Sequence, residues 1–426
     1  MQNGISGALV LCGPGAAAPE AFLTFTRLAR PLEGKFIAVK DKAPDPRALA
    51  DATGIWWELR EPPRGKVLDA LKAALARGAA LGGNAAFTQT ALQADLLPEA
   101  DPKSSIRYEL PEGAALAVVG REIQCLGTVP VTIRLAATAF CPEARITLGG
   151  QTRLADLTAL RRRSRQRTEP VFPPARMPTP NVPSGTLVIV GGGGMPQGLT
   201  QRFVTLAGGA NAVIAVIPIA LPDPLPPRDG MAEALRRAGA REVVELTGRT
   251  PEAVDKPEAL ALLKRATGIW FGGGRQWRFI DAYENTKAAA LMHGVLKRGG
   301  VIGGSSAGAS IQGEYMARGN PLGPEEIIAP GYERGLGFLP GMAIDQHFTQ
   351  RNRFKDMERL IKTYPQLLGV GIDEATALIV TGSLAEIVGR TRVTFYDSQK
   401  PAPESVASGK KYDLAARKIV EDKPKP

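Results

Sequence analysis

Long apolar runs, paired cysteines and histidines are scarce in this 426-residue chain, and each shortage removes a class of function. No uninterrupted apolar stretch approaches the roughly 20 residues of a membrane-crossing helix, so no membrane partner is expected. The three cysteines, Cys12, Cys125 and Cys141, fall in the first third, with no C-x-x-C pair and no histidine nearby. Neither a zinc site nor a disulfide framework follows, and no metal or cofactor is expected. Zinc-finger, RRM and KH patterns are absent, so the net charge of +11 does not point to nucleic acid. Much of that charge is local: Arg161, Arg162, Arg163, Arg165 and Arg167 run into a proline-rich stretch and read as a solvated helix end. Met1-Gln2-Asn3-Gly4 offers no basic leader and Leu9-Val10-Leu11 is too short for a signal core, which suggests a cytoplasmic protein.

A hydrophobic fraction of 44% with 22% charged residues is that of a globular protein, long enough for two or three domains. Three segment pairs recur in the same order. Ala52-Thr53-Gly54-Ile55-Trp56-Trp57 echoes Ala266-Thr267-Gly268-Ile269-Trp270-Phe271. Residues 77–86 echo residues 298–307, and residues 111–118 echo residues 373–380. Two copies of one fold are therefore expected, residues 1–167 and 184–426, joined by a proline-rich linker over 168–183. Each copy alternates short apolar runs with helical periods, the pattern of a mostly parallel sheet with helices on both faces. In the second copy, strands are expected near 187–190, 212–217, 243–246, 269–271, 301–303, 342–344 and 377–380. Chemistry in such sheets gathers at the carboxyl ends of the strands.

One of those ends carries Gly304-Ser305-Ser306-Ala307-Gly308, a G-x-S-x-G pattern. On a tight strand-to-helix turn such a serine stands clear, and the next N–H can face a developing oxyanion. The base must then be an imidazole. His293 lies on the helical stretch 285–298, whereas His347 follows the apolar run Met342-Ala343-Ile344 at another strand end. Glu374, after Gly369-Val370-Gly371-Ile372, is the first choice to orient that imidazole, with Asp373 and Asp345 as alternatives. Where the second copy has Ser306 the first has Ala85, and the first copy contains no histidine, so it is expected to be inert. The second copy contains no cysteine, which excludes a cysteine-dependent glutamine amidotransferase.

Residues 303–309, the run Asp345-Gln346-His347-Phe348 with Arg351-Asn352-Arg353, and Gly371-Ile372-Asp373-Glu374-Ala375-Thr376-Ala377 together resemble the cyanophycinases. Those enzymes belong to serine peptidase family S51, which also holds aspartyl dipeptidases on a class I glutamine-amidotransferase-like (flavodoxin-like) αβα fold. The resemblance implies Ser306 as nucleophile, His347 as base and then acid, and Glu374 as its partner. It implies an oxyanion hole from the N–H groups of Gly273 or Gly274 and of Ala307. Gln276, Asp345, Gln346, Arg351 and Arg353 match positions that line the pocket for a β-aspartyl-arginine unit. Two departures stand out: Asp356 occupies the place of a third arginine, and Gly191-Gly192-Gly193-Gly194-Met195-Pro196 lacks the acidic residues of typical members.

The expectation is a serine peptidase acting on an aspartyl peptide or isopeptide such as cyanophycin, without cofactor, and a homodimer or an internal pseudo-dimer. The alternatives are an aspartyl or isoaspartyl dipeptidase with another substrate, or a non-catalytic scaffold of two degenerate copies.

Overall fold

The computed structural model describes residues 7–12, 14, 35–93, 106–126, 128–150, 152 and 154–421. A helical segment that the sequence also leads one to expect, after Gly15 to about Arg30, lies outside those residues. The chain divides into two compact units, residues 1–171 and 172–426.

In the first unit the strands are β1 (Ala8–Cys12), β2 (Lys35–Val39), β3 (Ala52–Trp57), β4 (Ala80–Gly83), β5 (Ile106–Glu109), β6 (Ala115–Val119), β7 (Glu122–Leu126), β8 (Val131–Leu135), β9 (Ala144–Leu148) and β10 (Leu154–Asp156). Seven of them form one sheet in the order β10-β7-β6-β1-β4-β3-β2, and β5, β8 and β9 form a small antiparallel sheet. Helix Leu157–Gln166 corrects the reading of the arginine run. Leu157, Leu160, Arg161 and Ser164 recur at helical spacing and are buried, as is Arg162, so this is no solvated helix end. Asp156 caps that helix through the Ala159 N–H and pairs with Arg121.

The second unit holds β11 (Val182–Val190), β12 (Val213–Ile217), β13 (Glu242–Glu245), β14 (Gly268–Phe271), β15 (Val301–Ser305), β16 (Gly313–Met316), β17 (Leu339–Gln346), β18 (Leu368–Ile372), β19 (Thr376–Gly382), β20 (Leu384–Gly389), β21 (Arg392–Asp397), β22 (Glu404–Ala407), β23 (Lys411–Asp413) and β24 (Lys418–Val420). Its main sheet runs β13-β12-β14-β15-β11-β19-β20-β23-β24. Without its two edge strands, this order and the sense of every pairing repeat those of the first unit's sheet, read from β2 to β10. Proline-rich residues 172–183 pack on this unit, where Gln366 donates to the carbonyls of Pro173 and Pro174.

Two features differ from the expected mostly parallel sheet. From β13 to β11 the pairings are parallel, but β11-β19, β19-β20, β20-β23 and β23-β24 are antiparallel. The turn between β19 and β20 is too short for the crossover that parallel neighbours require. In addition, β17 does not join the main sheet. It lies in a second sheet, β16-β17-β18-β21-β22.

The parallel strands read as continuous apolar runs because helices cover them. Val188, Val190, Ile214, Val216 and Trp270 pack under Leu199, Phe203, Ala232 and Leu235. Side-chain caps start three of the described helices of this unit: Asp229 accepts from the N–H groups of Met231 and Ala232, Thr250 from that of Ala253, and Thr286 from that of Ala289. Gly303 on β15 lies beneath the edge-to-face pair of Phe203 and Trp270, where a β-carbon would fall 2.7 Å from the first ring and 2.8 Å from the second. Gly303→Ala should therefore cost about 1–3 kcal/mol by overpacking, seen as a lower denaturant midpoint at unchanged slope.

Candidate active site

Ser306 begins the short helix Ala307–Ser310 at φ 57° and ψ −113°, and its side chain makes no capping bond. That conformation is costly for a residue with a β-carbon and persists where packing over-determines it. The glycines around it are steric necessities. A β-carbon on Gly304 would lie 2.3 Å from the Gly308 carbonyl, and one on Gly308 would lie 2.1 Å from that of Phe271. The Ser306 N–H donates to the Val190 carbonyl, which fixes the elbow to the end of β11.

At the equivalent turn of the first unit, the Asn84 side-chain oxygen accepts from Ala86 and Phe87, and its amide donates to the carbonyls of Glu58 and Leu59. That is an ordinary capped helix start, and no hydroxyl projects from it.

His347 follows directly on β17. Its Nε2 is 2.9 Å from Ser306 Oγ, and its Nδ1 is 2.6 Å from Glu374 Oε1. A carboxylate can only accept, so Nδ1 carries the proton and Nε2 accepts from the serine hydroxyl. The residues come from two sheets: Ser306 from β15, and His347 and Glu374 from the ends of β17 and β18. Of the three acids considered for the partner role, Asp373 accepts from the Thr349 N–H and Asp345 pairs with arginines, which leaves Glu374 on the imidazole. Gln350 Oε1 accepts from the Glu374 N–H.

The glycine run after β11 is the part of the site whose role is invisible in its spacing. The Gly191 carbonyl accepts from His347 N–H and the Gly192 carbonyl from Ala375 N–H. A β-carbon on Gly192 would fall 2.3 Å from His347 Cε1, and one on Gly193 would fall 2.4 Å from Glu374 Oε2. Both glycines adopt positive φ, 94° and 64°. His347 and Ala375 are likewise left-handed, at 48° and 51°. The turn is a cradle for the imidazole and the carboxylate.

Gly273 lies against the elbow, with its β-carbon position 3.6 Å from Ser306 Cβ. A β-carbon on Gly274, at φ 134°, would collide with the Ala220 carbonyl at 2.2 Å. No acceptor for the N–H groups of Gly273 and Gly274 occurs among the described residues, and the Ala307 N–H, in the first helical turn, has no intrahelical partner.

The residues expected to line a pocket divide. The Gln276 amide donates to the carbonyls of Ala317 and Arg318 at 2.6 and 2.9 Å. Asp345 is fully buried between Arg318 and Arg353, and Arg353 also donates to the Gln346 carbonyl. Burial pushes the Arg353 guanidinium down to about 10, with Asp345 resisting. Arg351 is exposed. Gln346 is buried, and its Oε1 has no hydrogen-bond partner. Asp356 accepts from Arg318. His293, by contrast, packs on Phe338 and contacts the Leu336 carbonyl. Among the described residues no group of three or more His, Cys, Asp or Glu side chains is placed to hold a metal, and no helix is long and apolar enough to cross a membrane.

Residues 187–388 match the sequence profile of peptidase family S51. A cyanophycinase of Geminocystis herdmanii is 32% identical over 222 residues, 51% of this chain and 81% of that protein. A cyanophycinase of Synechococcus elongatus is 38% identical over 208 residues, 47% of this chain. The chain spans 63% of the length of the Synechococcus protein, and the same share of the cyanophycinase of Thermosynechococcus vestitus. A crystal structure of a peptidase from an acI-B1 Actinobacterium is 22% identical, with a TM-score of 0.42, covering 57% of this chain and 100% of that one. The chain belongs to peptidase family S51.

Gly192→Ala should leave the fold intact by circular dichroism and reduce reaction of Ser306 with a fluorophosphonate by about 10²-fold, because the imidazole must move by an ångström or more. The second expectation concerns pH. Burial pushes the His347 imidazole below its ordinary value; the Glu374 hydrogen bond resists, and the charges of Arg351 and Arg353 push it further down. Only the neutral ring can take the serine proton, and a lowered value makes that form prevail at pH 7. Labelling of Ser306 should rise with pH through a midpoint below about 6.5. Arg351→Gln, which removes one of the two cations, should move that midpoint upward.

Proposed function

We propose that this chain is a serine peptidase cleaving peptide or isopeptide bonds at aspartyl residues, with β-aspartyl-arginine units such as those of cyanophycin as its substrate class. The observation that carries the reading is the hydrogen-bonded relay of Ser306, His347 and Glu374 on a strained elbow.

In this mechanism Ser306 Oγ attacks the scissile carbonyl carbon while His347 Nε2 takes its proton, and Glu374 holds the imidazolium. The N–H groups of Ala307 and of Gly273 or Gly274 face the oxyanion. Collapse of the tetrahedral adduct breaks the C–N bond, and the leaving amine takes the proton from His347. Water, deprotonated by His347, then attacks the acyl ester, and Ser306 recovers its proton as the acid leaves. In this reading Arg351 and the free Gln346 Oε1 contact substrate, whereas Gln276, Asp345 and Arg353 shape the wall behind it. Guanidinium suits a substrate carboxylate because it pairs with both oxygens. The names of the relatives support cyanophycin as substrate; the carboxylate of Asp356, at a position where the family pattern has arginine, favours a related aspartyl peptide as a second reading.

We further read the two units as copies of one amidotransferase-like fold, supported by the matching strand order, the first being an inert partner in an internal pseudo-dimer. A cytoplasmic setting goes with this reading.

A fluorophosphonate probe should label the full-length chain at Ser306 and fail on Ser306→Ala. His347→Ala should lower hydrolysis of a β-aspartyl-arginine dipeptide or cyanophycin by at least ~10³-fold. An unlabelled native chain would favour the scaffold reading instead.

A further inference from the structure

We infer that Arg318 is a positioning residue that fixes the distance between the oxyanion donors and the base, an inference that rests on the serine-peptidase reading. Arg318 follows β16 and is 2% exposed, in left-handed backbone at φ 58°. Its main chain bonds to the loop after β14 and its side chain to the strand that leads to His347.

The main chain holds the donor side. The Arg318 carbonyl accepts at 2.9 Å from the amide of Gln276, which comes two residues after Gly274. The preceding Ala317 carbonyl accepts from the same amide, and the Arg275 guanidinium reaches the Asn320 carbonyl. The segment 317–320 is thus tied directly to the loop that presents Gly273 and Gly274.

The side chain holds the base side. Nε donates to Asp345 Oδ1 and Oδ2 at 3.1 and 3.0 Å, and Asp345 precedes His347 by two residues on β17. Asp345 also accepts from the Gln346 N–H and from Arg353, so its position sets that of the turn bearing the imidazole. Nη1 donates to the carbonyls of Pro324 and Glu325, both at 2.9 Å, and Nη2 to Asp356 at 2.7 Å on the helix Phe354–Thr363. One planar fork therefore locks a strand end, a loop and a helix start.

Left-handed backbone in a residue with a side chain is costly and survives where its surroundings dictate it. Here the surroundings are these two sets of bonds. Lysine could neutralise Asp345 but, as a point charge, could not hold the carbonyls and Asp356 in the same plane. Arg318 touches no reacting atom in this scheme. Its contribution is geometric, and a displacement of about 1 Å between donors and base is worth about 10²-fold in rate.

The test measures fluorophosphonate labelling of Ser306 in the full-length chain against pH, with circular dichroism and thermal melting on the same samples. Arg318→Met should remain folded at the assay temperature, and its plateau labelling rate should fall about 10²-fold; Arg318→Lys should lose at least about 10-fold. The midpoint pH should stay put in both, because Glu374, Arg351 and Arg353 still face His347. If Arg318→Met fails to fold, Arg318→Lys, which keeps the charge beside Asp345, carries the test alone. Folded variants that label at the parental rate would overturn the inference, and so would a slower rate accompanied by a shifted midpoint, which would mean Arg318 acts through charge. A parent chain that does not label at all would remove the peptidase reading and this one with it, an outcome distinct from failure of the brace alone.

Discussion

The turn that leaves β11 carries no side chain from Gly191 to Gly194, and the imidazole of His347 and the carboxylate of Glu374 are packed into the space this creates. Two carbonyls of the same turn receive the N–H groups of His347 and Ala375, so the backbone that makes room for the pair also anchors the residues bearing it. This contact joins the two sheets of the second unit. The elbow serine belongs to one sheet and its partners to the other, and the turn at the end of β11 lies between them. A β-carbon at either inner glycine would push the pair apart.

Much of this was legible in the sequence. G-x-S-x-G after an apolar run marks an elbow on steric grounds, and the scarcity of histidine left few candidates for the base. Apolar runs ending at Ile344 and Ile372 put His347 and Glu374 just past strand ends, and in the structure β17 ends at Gln346 and β18 at Ile372. What stayed hidden involves partners that local patterns do not encode. Nothing in the spacing of Arg318 shows that its side chain meets Asp345 and its carbonyl meets Gln276, since both contacts depend on tertiary closure. The antiparallel half of the main sheet was missed because β19 is as apolar as a parallel strand; the half-polar β20, which follows after one residue, gives the direction away. The separate sheet containing β17 was missed for a related reason: an apolar run declares burial without saying in which layer.

Several residues that the family pattern places at a substrate are buried in the structure. Asp345, Arg353 and Gln276 each hydrogen-bond to another part of the chain, Arg353 through Nη1 and Gln276 through its amide nitrogen. A buried pair of this kind is expensive to break and contributes little over an apolar replacement. Its value here lies in holding a turn at one orientation.

The two units treat the topologically corresponding strand-to-helix turn in opposite ways. Asn84 caps its helix in the relaxed manner that most helices use, a feature worth roughly 1 kcal/mol. Ser306 forgoes that cap and holds a reluctant backbone angle. A helix start that carries no nucleophile is free to keep the stabler, capped form. A reactive hydroxyl needs the strained form, and on the function proposed above that demand falls on the second unit alone.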